Sequence, residues 1–126
     1  VTDLLSERTD GVLRLTINRE DKRNALSAEV MRGLLDGVRA ASTDTDVRVV
    51  VVGSAGERIF CAGADLAVMA EDSTGLEQHE GRGLLAKLVV AIRECPVPVV
   101  ARVQGLCLAG GIGLASGCDV VLARES

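Results

Sequence analysis

The chain has 126 residues, 48% of them apolar and 25% charged, a balance typical of folded globular proteins rather than disordered ones. Fourteen basic against 18 acidic residues give a net charge of −4, which argues against a non-specific nucleic-acid binder. No apolar run reaches membrane-spanning length and Val1-Thr2-Asp3 opens no signal peptide, so the expectation is a soluble, cytoplasmic protein with no membrane partner.

Leu4 to Arg8 and Val12 to Asn18 read as two strands joined by a tight turn at Thr9-Asp10-Gly11. Arg19 to Asn24 is charged and turn-like. Ser27 is placed to cap a helix running to about Ala41, with Glu29 favourable in its first turn. Val30, Met31, Leu34, Leu35, Val38 and Ala41 recur at helical spacing and make its apolar face. Val47 to Val52 is almost all valine and predicts a strand covered on both sides.

After a turn at Phe60 to Leu66, the polar stretch Ala70 to Gly83 reads as a lid-like region. Leu84, Leu85, Leu88 and Ile92 mark a helix that stops before Pro96. Pro98 to Val103 predicts a buried strand, Gly110 to Ser116 a short helix, and Cys118 to Ala123 a last strand. The order is α/β, in one domain over 1–126 with no linker inside it. Because Ser126 follows a strand directly, the expectation is a fold interrupted before its closing helices.

The four cysteines, Cys61, Cys95, Cys107 and Cys118, form no C-x-x-C pair and have only His79 to join them, a poor basis for a zinc site. They read as free thiols of a reducing compartment, with Cys61 a small buried hydrophobe rather than a nucleophile. Glu71, Glu77, His79 and Glu80 share the polar stretch, and their spacing singles out none of them.

Chemistry is expected at two glycine-rich turns that follow strands. In Cys61-Ala62-Gly63-Ala64-Asp65-Leu66, small side chains bare the backbone, and Asp65 is placed to cap a following helix, leaving the Ala64 N–H facing outward. In Ala109-Gly110-Gly111, the Gly110 N–H would likewise point out of a helix start. Two such amides aimed at one point suit a developing oxyanion, such as the enolate of a thioester. The competing pattern Gly111-x-Gly113-x-x-x-Gly117 resembles a dinucleotide cradle, but the acidic ribose partner would fall past Ser126. No Lys-Ser/Thr pair follows to make a P-loop.

Asn18-Arg19-Glu20-Asp21-Lys22-Arg23-Asn24-Ala25-Leu26, Val47 to Gly53, Phe60 to Leu66 and Gly105 to Asp119 together resemble the crotonase superfamily, the enoyl-CoA hydratase/isomerase family. The resemblance runs from about Val12 to Ala123. It implies a crotonase-like spiral of ββα repeats, incomplete here for want of C-terminal helices. It implies acyl-CoA thioester substrates, no cofactor apart from the coenzyme A of the substrate, no metal, and assembly as homotrimers or hexamers.

Matched by motif, Ala64 and Gly110 hold the positions of the family's backbone oxyanion hole. Arg23 and Ala25 match the path of the CoA phosphate and pantetheine, and Ala62, Asp65 and Leu66 the turn at its adenine end. Gly111 and Gly113 join them as substrate-binding positions. At Gly113 the hydratases of the family commonly carry a catalytic glutamate, and a second belongs after the last strand, beyond Glu125. The expected activity is therefore of the enoyl-CoA hydratase type. Two alternatives stand beside it: an isomerase working with one glutamate, and an inactive acyl-CoA-binding remnant.

Overall fold

Asp10 and Gly11, both with positive φ (53° and 81°), close the two-residue turn between β1 (Leu4–Thr9) and β2 (Val12–Ile17), which pair antiparallel. Such Asp-Gly turns twist the backbone in the sense that the flanking strands require. In the computed structural model the described residues are 2–65 and 75–125, those of 75–82 through their backbone only. After a single 3-10 turn at Glu20–Lys22 comes α1 (Ala28–Thr43), capped as expected by Ser27, whose hydroxyl accepts from the Val30 N–H at 3.1 Å. Its buried residues are the six that the helical spacing picked out.

Three further strands extend the sheet in parallel: β3 (Val49–Ser54), β5 (Val99–Val103) and β7 (Val120–Ala123), in the order β1-β2-β3-β5-β7. Two very short strands, β4 (Ile59–Cys61) and β6 (Leu106–Cys107), pair parallel in a second sheet. Each is followed by a helix, α2 (Gly75–Glu94) and α3 (Gly110–Gly117). The units β3-β4-α2 and β5-β6-α3 thus repeat one ββα plan, as the fold class anticipated. The short strands went unpredicted because two or three residues carry no period-2 signal.

The core lies on one face of the large sheet. Parallel register aligns Leu13 with Val50 and Val99, and Leu15 with Val52 and Ala101. These rows pack with Val30, Leu34 and Val38 of α1 and Leu88 and Ile92 of α2 in one cluster. Full burial of a side chain such as Leu34 is worth about 2 kcal/mol over leaving it in water.

Three expectations need correction. β3 is fully buried only at Val50 and Val52, while Val49 and Val51 are half-buried, because the described helices cover a single face. The last strand starts at Val120 rather than Cys118, and all four of its residues are exposed. The stretch expected to be lid-like up to Gly83 is helical from Gly75, its polar composition notwithstanding, and its first residues, 70–74, lie outside those described. No described helix is long and apolar enough to cross a membrane.

Candidate functional site

The segment after β2 sets up the first half of the site. Arg23 and Asn24 both take left-handed conformations (φ 56° and 53°), which turns the chain sharply between Lys22 and Ala25. Asn tolerates this region; for Arg it is a strained choice that surrounding contacts must hold. Asn24 supplies those contacts. It is 1% exposed, accepts from the Arg19 N–H at 2.9 Å, and donates to the carbonyls of Ala55 and Ile59 at 3.0 and 2.9 Å. Every one of these partners is a main-chain group, so Asn24 fastens the turn to the end of β3 and the start of β4.

The turned segment then runs alongside the residues that follow β4. Ala62 donates to the Arg23 carbonyl at 3.1 Å, Leu26 to that of Gly63 at 2.8 Å, and Asp65 to that of Leu26 at 3.0 Å. Leu26 and Ala64 form an isolated parallel bridge. In such a bridge the neighbours of Ala64, not Ala64 itself, spend their groups on Leu26. The Ala64 N–H is thereby turned to the opposite side, and Ala64 is exposed. It donates to none of the described residues.

The second half is built differently. Leu108 to Gly111 is a tight turn closed by the Gly111 N–H on the Leu108 carbonyl at 2.8 Å. Ala109 sits in it at φ 47°, ψ −118°, values near the first central position of a type II′ turn, which glycine usually fills. That conformation flips the Ala109–Gly110 peptide, so the Gly110 N–H leaves the turn outward at the start of α3. The Gly110 N–H also donates to none of the described residues.

The two turns abut. A methyl placed on Gly110 would lie 3.6 Å from the Ala64 nitrogen, and one placed on Gly63 would lie 3.6 Å from the Gly110 nitrogen. Gly63 has φ +120°, and a methyl there would also press on the Ala109 Cβ at 3.1 Å, so glycine is required twice over. Gly111 is buried, where a methyl would meet the Cys61 carbonyl oxygen at 2.5 Å; its absence lets α3 lie against β4.

The remaining expected residues fall around this pair. Ala62 and Ala25 are half-buried on the paired segments. Asp65 turns its carboxylate inward, onto the Arg19 guanidinium at 2.8 Å. Its expected role as a helix cap, and the placement of Leu66, concern residues outside those described, as do Glu71 and the side chains of Glu77, His79 and Glu80. Arg23 is exposed and lines a cleft of about 410 Å³ with Glu20, Asn24, Glu57 and Arg58. A larger cleft, about 650 Å³, opens at the ends of β3, β5 and β7 and is lined by neither Ala64 nor Gly110. Gly113 faces open space, with no described atom outside its own helix within 4 Å of where a side chain would start.

Cys61 is fully buried, with Sγ 3.8 Å from the Gly63 carbonyl oxygen. Burial pushes its thiol pKa up, outweighing a backbone hydrogen bond at Gly63, so the thiolate that a nucleophile needs is disfavoured. Sequence reasoning assigned no role to Arg19 or Asn24. The available signal was an Asn, able to donate, accept and adopt positive φ, inside a charged turn that had to change direction.

The profile of the family described as enoyl-CoA hydratase/isomerase matches residues 7–126. The chain is 37% identical over 126 residues to the 2,3-dehydroadipyl-CoA hydratase of Escherichia coli K12, covering 100% of this chain and 48% of that protein. It is 37% identical over 122 residues to the mitochondrial Delta(3,5)-Delta(2,4)-dienoyl-CoA isomerase of Mus musculus, covering 86% of this chain and 36% of that one. Among solved structures, an enoyl-CoA hydratase from Mycobacterium avium subsp. paratuberculosis K-10 superposes with a TM-score of 0.84 at 40% identity, covering 99% of this chain and 46% of that one. The chain thus spans about half the length, or less, of the relatives it matches. With residues 7–126 matched by that profile, the chain belongs to the enoyl-CoA hydratase/isomerase family.

Proposed function

We propose that the protein acts on acyl-CoA thioesters, with the Ala64 and Gly110 N–H groups as an oxyanion hole for the thioester carbonyl. The observation that carries this reading is two amides that donate to none of the described residues, on turns that touch. Hydration of a 2-enoyl thioester adds oxygen at C3 and drives negative charge onto the carbonyl oxygen before C2 is protonated. Preorganised amides stabilise that charge more than they stabilise the neutral ground state, which lowers the barrier. In the same proposal, Arg23 meets a phosphate of coenzyme A beside the acidic and basic groups of its cleft, and Ala25, Ala62, Asp65 and Leu66 line the rest of its path. The chemistry calls for no cofactor beyond the coenzyme A of the substrate. Homotrimers or hexamers in the cytoplasm complete the proposal.

One observation favours a second reading. Gly113 carries no carboxylate, and nothing described fills the space before it. An enoyl-CoA isomerase, moving one proton between C2 and C4 with a single acid/base group, needs less than a hydratase needs. Loss of the conjugated-enoyl absorbance of crotonyl-CoA supports hydration, and gain of that absorbance from a 3-enoyl-CoA supports isomerisation. Protection from thermal unfolding by either thioester without turnover leaves an acyl-CoA-binding protein. Absence of all three overturns the acyl-CoA reading.

A further inference from the structure

We propose that Arg19 is a positioning residue that aims the Ala64 N–H, a role that rests on the oxyanion-hole reading. Its guanidinium grips the Leu26–Ala64 bridge from both strands at once. Nη1 donates to the carbonyl of Ala25, one residue before Leu26, at 2.7 Å. Nη2 pairs with the carboxylate of Asp65, one residue after Ala64, at 2.8 Å. Nε reaches Asp3 at 3.2 Å, and the Arg19 main chain is itself held by buried Asn24. The Arg19 side chain is 11% exposed and that of Asp65 18%, so the pair works in a partly dry setting where its geometry is well defined.

Two consequences reach the reacting oxygen. First, the direction of the Ala64 N–H follows from the bridge, since the Gly63 carbonyl and the Asp65 N–H are spent on Leu26. A looser bridge lets that peptide plane rotate away from the acyl oxygen. Second, Asp65 is adjacent in sequence to an oxyanion donor. The Arg19 guanidinium sets a positive charge against that carboxylate and offsets part of its repulsion of the charge developing on the substrate. Lysine cannot replace the planar fork, because one ammonium does not serve both acceptors with fixed geometry.

The test uses the protein that carries this chain, a 2-enoyl-CoA substrate, and the infrared carbonyl band of bound butyryl-CoA as a readout that stability alone does not move. Arg19→Gln is expected to lower kcat roughly 10²-fold, with KM little changed, and to return the carbonyl band toward its position in water. Arg19→Gln combined with Asp65→Asn should regain part of the lost rate, because the carboxylate charge next to Ala64 is gone. A folded Arg19→Gln protein with wild-type kcat and an unshifted band overturns the inference, as does a loss confined to thermal stability. If Arg19→Gln fails to fold, Arg19→Lys is measured in its place: a smaller loss in the same direction sustains the role, and unchanged kcat and band refute it. Failure of the oxyanion-hole reading is separately visible, because then the wild-type protein itself leaves the carbonyl band of butyryl-CoA where water puts it.

Discussion

The two turns that present Ala64 and Gly110 deliver the same chemical group by different means. The Ala64 turn is held from a distance: Leu26 pairs with it, Arg19 clamps it, and Asn24 anchors the clamp, all from the segment after β2. The Gly110 turn is held mostly from close by: the Gly111 N–H closes it on the Leu108 carbonyl, Ala109 is strained within it, and one long-range bond, from the Leu108 N–H to the Cys61 carbonyl at 3.0 Å, seats it on β4. A backbone donor has no side chain to steer, so its aim must come either from partners elsewhere in the fold or from strain stored on the spot. The first turn relies mostly on such partners, the second on strain together with its seat on Cys61. Damage to the first half should therefore spread from remote substitutions, whereas damage to the second should come from residues of the turn, of α3 and of β4 at Cys61 beneath them.

The largest effect should come from removing a donor outright. Gly110 is the first helical residue, where α3 itself tolerates proline's missing N–H and fixed φ, but proline disfavours the Ala109 conformation before it, so circular dichroism must first show that Gly110→Pro is folded. The folded variant should lower kcat on an enoyl-CoA substrate by about 10²–10³-fold. Unchanged turnover in a folded variant would remove Gly110 from the site and leave the comparison with one member.

Next comes the seat of α3. Gly111→Ala drives a methyl into the Cys61 carbonyl and Cβ, and urea unfolding should report a loss of about 1–3 kcal/mol. Wild-type stability would mean that α3 and its turn can move off β4 at little cost.

The far end of α3 offers a pH test. Cys118 is buried there, its thiol 3.4 Å from the Leu114 carbonyl, and burial followed by the nearby Asp119 pushes its pKa from 9.0 to about 11. A pKa raised on folding contributes stability that is whole below pH 9 and is lost as pH climbs through about 11. The expected loss across that window is at most about 3 kcal/mol. Melting curves of wild type and Cys118→Ala should converge over it, and curves that stay parallel would show that the thiol does not sense its surroundings.

The smallest effect isolates the strain itself. Ala109→Gly removes a left-handed alanine and should stabilise the protein by about 1 kcal/mol, against the usual cost of a new glycine. Destabilisation in a thermal melt would show that the Ala109 methyl, packed toward Gly63, contributes more than its backbone conformation costs.

Much of this architecture was legible in the residues. The α1 face was readable because six apolar residues repeat at helical spacing and Ser27 precedes them, so local geometry and burial point the same way. The large sheet was readable because its strands are long enough to show their composition. Less accessible were β4 and β6, too short to carry a pattern, and the onset of α2, where helix replaces the expected lid from Gly75 onward. Both glycine turns were visible as turns, since only small residues allow the backbone to be approached so closely.

What the chain determined by itself, then, was which backbone would be left uncovered: runs such as Ala62-Gly63-Ala64 and Ala109-Gly110-Gly111 cannot shield their own amides, whatever surrounds them. What only the tertiary structure decided was that these amides meet. Arg19 and Asp65 lie far apart in sequence, and so do Gly63 and Ala109; nothing in local spacing says that they touch. Parallel pairing of β3 with β5 and of β4 with β6 brings the two junctions together, and hydrogen bonds across long loops set their angles. Direction of an amide is a property of the peptide plane, and that plane is fixed by contacts the linear sequence does not contain.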